Sequence, residues 1–180
     1  MLTHATRTLS EVKKELQSSA NKKDAETALW FFKTGKGDYG ENDRFLGIKV
    51  PVQRAIAKKY ASLSLADMLK LLRSPFHEHR LTALFILVLK FQKGDTVVQR
   101  KIYGEYVKHR QFINNWDLVD SSAPHIMGAY LLQNKRAILY RFARSKKLWE
   151  KRIAILATQT FIRHGDFADT LKISEILLHD

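Results

Sequence analysis

The sequence predicts an all-α protein built as a solenoid of paired helices, and three observations predict it. Breakers are scarce, with 8 Gly and 3 Pro in 180 residues, too few for a loop-rich β architecture. Apolar residues recur at helical spacing, and no segment alternates convincingly with period two. There is also an internal echo. Phe76-His-Glu-His-Arg80 leads into LTALFILVLKFQKGD, and Leu148-Trp-Glu-Lys-Arg152 leads into IAILATQTFIRHGD. The two arginines are 72 residues apart (152 − 80), and half that interval from Arg80 lands on Trp116. A period of about 36 residues per helix pair is near that of helical solenoids. Such a solenoid offers a curved surface on which basic residues converge. The length suits one domain over residues 1–180, and 45% hydrophobic residues supply its core.

The elements follow in order. Leu2 to Gln17 reads as a helix, with Leu9, Val12 and Leu16 on one face. Ala25 to Lys33 gives a second, ending in AlaLeuTrpPhePhe; its Trp30, Phe31 and Phe32 are expected in the core rather than as a base-stacking platform. Residues 34–50, with four glycines, form a loop. Pro51 suits the first position of a helix running to Tyr60. Ser64 caps Leu65 to Arg73. Pro75 opens Phe76 to Phe91, which stops near Gly94, and Asp95 caps Thr96 to Lys108. A short helix spans Trp116 to Ser122, capped by Asn114 or Asn115. Pro124 to Leu132, Arg136 to Arg144, Lys147 to Ile162 and Asp166 to Leu178 complete the set.

Charge narrows the partners. Lys plus Arg number 31 against 18 Asp plus Glu, a formal net charge of +13. Such an excess attracts polyanions, nucleic acid first among them. With no cysteine, disulfides, thiolate nucleophiles and Cys-ligated zinc are excluded. The amphipathic N-terminus lacks a signal peptide's apolar run, and Leu84 to Leu89 is too short to span a bilayer. A soluble, cytoplasmic protein is expected.

Few motifs carry chemistry. The glycine loop lacks the phosphate-binding pattern GxxxxGK[ST]. His77 and His79 diverge on a helix, so a metal site there is not expected. Within NNWDLVDSSAPH, residues 114–125, Trp116 and Asp120 are four apart and share a helix face. Asp117 sits in the first turn, where an acid suits the dipole, and reads as structural. Asp120 lies near the helix end, where an acid is unfavourable. It is held there for function, or it pairs with a cation or caps the helix at Pro124. Arg80 and Arg152 each start an apolar helix against the dipole, so each needs a partner: a phosphate, or an acid in a neighbouring repeat.

Three stretches together resemble a known family. TGKGDYGENDRFLGIKVPVQR (34–54), NNWDLVDSSAPHIMG (114–128) and SKKLWEKRIAIL (145–156) are similar to the AlkD-like DNA alkylation repair glycosylases, built from HEAT-like repeats. The resemblance implies a right-handed superhelical solenoid with a concave basic groove. It implies hydrolysis of the N-glycosidic bond of N3- or N7-alkylated purines in duplex DNA, without metal or other cofactor, by a monomer that is nucleoid-associated if bacterial. By resemblance, Asp120 matches the catalytic carboxylate and Trp116 the tryptophan one turn before it. Arg152 matches a DNA-contacting arginine, with Trp149 beside it in the same segment. Tyr39, Arg44, Lys49 and Arg54, in or beside the glycine loop, are further DNA-contact candidates. Family members usually continue past residues 145–180 to a helix that supplies another aromatic to the site, and no residue here takes that role. A non-catalytic protein of the same fold, binding bent or branched DNA, is the alternative.

Overall fold

A computed structural model describes residues 7–180, and among them it is helical without a strand. Its backbone contacts divide it after Lys90 into two compact units.

In the first unit, α1 (Leu9–Ser18) begins where Thr8 and Glu11 form a capping box, the Thr8 N–H donating to the Glu11 carboxylate at 2.7 Å. The expected start at Leu2 lies outside the described residues, and the capping box places the start at Leu9. Val12 and Leu16 turn inward against α3 (Val50–Lys59) and α4 (Leu65–Leu72). Ser64 caps α4 as expected, accepting from the Asp67 N–H at 3.1 Å. Pro51 is the second residue of α3 rather than the first. The unit's core gathers Ile56, Leu63, Met68, Leu71 and Leu84.

Helix α2 (Lys22–Phe31) corrects two expectations. It starts three residues before Ala25, because the Asn21 side chain caps it by accepting from the Asp24 N–H. It also has no buried residue: Trp30 is 82% and Phe31 53% exposed, and of the three aromatics only Phe32, the C-cap, turns inward, stacking on Phe45 and meeting His77 at a tilt. Backbone fastens the start of α2. Leu46 O accepts from the Asn21 N–H at 2.9 Å, and a Cβ at Gly47 would stand 2.1 Å from Asn21 O. Gly47 is also at φ 75°, so two independent reasons demand glycine.

α5 (His77–Lys93) carries the stretch from Leu81 to Val88, apolar but for Thr82 and buried throughout. Its first turn organises the glycine loop. Buried Glu78 accepts from the N–H groups of Leu46, Gly47 and Ile48 at 2.9, 2.7 and 3.3 Å. Buried Arg80 donates to Asp43 at 2.6 Å and to the carbonyls of Ser74 and Pro75. Of the two partners open to Arg80, the acid is the one found, and burial removes this guanidinium from phosphate binding.

The second unit holds α6 (Thr96–Lys108), a 3-10 turn (Arg110–Phe112), α7 (Trp116–Asp120), a π-helical turn (Pro124–Gly128), α8 (Ala129–Leu131), α9 (Ala137–Ala143), α10 (Leu148–Ala157), α11 (Gln159–Arg163) and α12 (Ala168–Leu177). Asp95 caps α6 as expected. Two segments depart from simple α-helix. Pro124 to Leu132 opens with the π turn. Lys147 to Ile162 breaks at Thr158, whose hydroxyl donates to Ile155 O at 2.7 Å while its N–H takes the same carbonyl, three residues back rather than four. Helix α10 is the hub, packing against α7, the π turn, α9 and α12. Arg136 fastens α12 through Asp166 and Asp169, at 2.5 and 2.6 Å.

Candidate functional site

The second unit brings two sequence candidates into contact. Asp120 ends α7, and Arg152 lies one turn into α10. The guanidinium approaches side-on, Nε donating to Oδ1 at 2.8 Å and Nη2 to Oδ2 at 2.7 Å. This fork geometry is the strong, oriented form of a carboxylate–arginine pair. Both side chains keep about a third of their surface, 34% for Asp120 and 37% for Arg152, so the pair is reachable from solvent.

Asn115 sets the start of α7. It is fully buried, and its side chain accepts from the Trp116 N–H at 2.8 Å. Trp116 is therefore the first helical residue, half-buried, one turn before Asp120 on the same face. Asp117 is buried in the first turn, in agreement with a helix-start role. Trp149 is half-buried on α10, three residues before Arg152.

Beneath Asp120 lies a residue that the sequence reading passed over. Tyr106 of α6 is fully buried, and its hydroxyl meets Ser122 Oγ at 2.9 Å. Burial above all raises its pKa, and the charge of Asp120 adds to it. Glu150, in the echo motif of α10, accepts from Arg110 Nε at 2.8 Å and holds the 3-10 turn. Burial pushes its pKa up, but the bonds from Ser145 and Arg110 outweigh that and leave it below the usual carboxylate value. The shared Glu of the two echo segments was the available signal for both Glu78 and Glu150. Nothing in the local pattern marked Tyr106.

The other candidates belong to the first unit. Tyr39 is half-buried in the glycine loop. Arg44 is exposed, although its carbonyl accepts from the His77 N–H at 2.8 Å. Lys49 is the exposed N-cap of α3, and Arg54 lies on α3 with its guanidinium 4.1 Å from the centre of the Phe85 ring. His77 and His79 do diverge: the first meets Asp43 at 3.2 Å, the second Ser74 at 2.8 Å. Among the described residues no group of three or more His, Asp or Glu side chains is placed to hold a metal ion, and no helix is long and apolar enough to cross a membrane.

An all-helical, strongly basic chain with a solvent-reachable carboxylate held by arginine beside a tryptophan suits a protein that acts on an anionic polymer. The sequence matches the family described as DNA alkylation repair enzyme over residues 12–180, and the chain belongs to that family. A search among curated proteins found no match.

Proposed function

We propose that this protein is a DNA-alkylpurine N-glycosylase of the AlkD-like type, with Asp120 as its catalytic carboxylate. The observation that carries the reading is the solvent-reachable Asp120 carboxylate at the end of α7, with Trp116 one turn before it on the same face.

The chemistry needs little more. A purine alkylated at N3 or N7 is cationic, so its bond to C1′ breaks with the electron pair leaving on the base, which becomes neutral. Positive charge then develops on the deoxyribose. A carboxylate aimed there stabilises the transition state more than the ground state. Asp120 also orients the water that adds to C1′ and takes its proton. The electron-rich face of Trp116 meets the cationic lesion or sugar, and Arg152 meets a phosphate. Trp149, Tyr39, Arg44, Lys49 and Arg54 are proposed as further DNA contacts. The helix pairs are proposed to build a right-handed HEAT-like solenoid with a basic concave groove, acting as a monomer in the cytoplasm, at the nucleoid if the cell is bacterial.

One observation favours the alternative, a non-catalytic protein for bent or branched DNA. Both Asp120 oxygens already accept from Arg152, which neutralises the carboxylate unless DNA draws the guanidinium away. A base-release assay on methylated duplex DNA decides. The wild type is expected to free 7-methylguanine or 3-methyladenine. Asp120→Asn is expected to lose roughly 100- to 1,000-fold in rate while keeping DNA affinity. Full activity in Asp120→Asn overturns the catalytic role. Salt-dependent binding without base release establishes the alternative.

A further inference from the structure

A five-residue helix such as α7 cannot hold its own direction, because one turn and a half is too short to be stable by itself. Whatever aims the Asp120 carboxylate must therefore come from outside α7. Hydroxyl groups fasten the chain on both sides of the stretch that follows it.

On one side stands Ser122. Its N–H turns to Val119 O at 3.0 Å, and its hydroxyl meets Leu118 O at 2.5 Å. With that proton committed to the carbonyl, the Tyr106 phenol is the donor in the 2.9 Å bond to Ser122 Oγ. Tyr106 and Ser122 are both fully buried, so neither hydroxyl has water as a substitute partner. On the other side, Thr160 Oγ1 donates to Pro124 O at 2.6 Å. The π turn that follows packs against α6, α10 and α11. A Cβ on Gly128 would lie 2.3 Å from Ala157 O, so the turn stands at the closest approach the backbone permits. Insertions of this kind in helices are frequent at functional sites.

We propose that Tyr106, Ser122 and Thr160 form a hydroxyl clamp that aims the Asp120 carboxylate, with Tyr106 and Thr160 as positioning residues. Tyr106 acts through Ser122 on the last turn of α7, and Thr160 acts through Pro124 on the turn after it. The two-point pair of Asp120 with Arg152 is the geometric product of the clamp. Its catalytic consequence rests on the glycosylase reading, and its geometry does not.

The test uses variants that keep shape and remove one hydroxyl: Tyr106→Phe and Thr160→Val, with Thr160→Ser as the conservative control. In the free protein, NMR reads the solvent exchange of the Arg152 Nε–H, which donates to Asp120. Exchange is slow in the wild type and in Thr160→Ser, and is expected to be about tenfold faster in Tyr106→Phe and Thr160→Val. On methylated DNA, single-turnover base release by those two variants falls about tenfold at unchanged DNA affinity, and Thr160→Ser retains the wild-type rate. A wild-type protein that releases no base refutes the glycosylase reading, and the exchange measurement still judges the clamp. Arg152 exchange unchanged in both variants overturns the clamp whether or not base is released. Faster exchange with an unchanged release rate overturns the positioning role.

Discussion

Glu78→Gln is the sharpest test of how the glycine loop is held. In the wild type, Oε2 accepts from Leu46, and Oε1 accepts from Gly47 and Ile48. Gln has the same shape but replaces one acceptor oxygen with an NH2 group. If the remaining oxygen keeps Gly47 and Ile48, the amide hydrogens face the Leu46 N–H, donor against donor. One charge-assisted bond, about 1.5–3 kcal/mol, is lost, and a buried N–H loses its partner at a further cost of about 1–3 kcal/mol. The bonds that survive are also weaker, having lost their charge. The expected destabilisation is therefore about 3–5 kcal/mol, measured by urea denaturation. Leu46 amide exchange should accelerate most, because it loses its acceptor outright. A Glu78→Gln protein within about 0.5 kcal/mol of wild type, with Leu46 still protected, would refute the reasoning.

Three further outcomes follow from the same structure. His79 has its pKa lowered from 6.5 to about 4, by burial first and then by the charges of Lys13 and Arg80. The unfolded chain therefore takes up this proton first, so stability is full above pH 6.5 and falls as pH drops towards about 4. The loss reaches about 3 kcal/mol; the stability gap between wild type and His79→Gln should narrow by that much from pH 7 to 4, and parallel curves would refute it. Gly47→Ala should cost about 3 kcal/mol or more by denaturation, because the added Cβ meets backbone at a positive φ. Arg152→Ala, if Arg152 meets a phosphate, should weaken DNA binding about tenfold and reduce the salt slope by about one; an unchanged slope removes Arg152 from the phosphate contacts.

Much of the fold was legible along the chain. Ser64, Asp95 and Asn115 cap helices where their side chains reach a free N–H three residues on, or one in the case of Asn115. These contacts are local, so local sequence specifies them. The departures have the opposite character. Periodicity sees only apolar spacing, so it could not register the break at Thr158, which comes from a hydroxyl competing for a backbone carbonyl. It also placed Trp30 and Phe31 in the core because they are apolar, whereas the start of α2 is fastened by Gly47 and Leu46 through backbone. The site divides in the same way. Trp116 and Asp120 share a face by spacing alone, but Tyr106 lies on another helix with no pattern joining it to them.

The sequence alone therefore determined the helical class, the positive field and the shared helix face of Trp116 and Asp120, because each depends on composition or on separations of one helical turn. Only the tertiary structure decided what the two echoing arginines do. Arg80 and Arg152 stand in like positions of like segments, yet one is buried on Asp43 and the other reaches solvent on Asp120. Their partners lie 37 and 32 residues away. At those distances the partner is set by which helices pack together, and packing is a property of the folded chain.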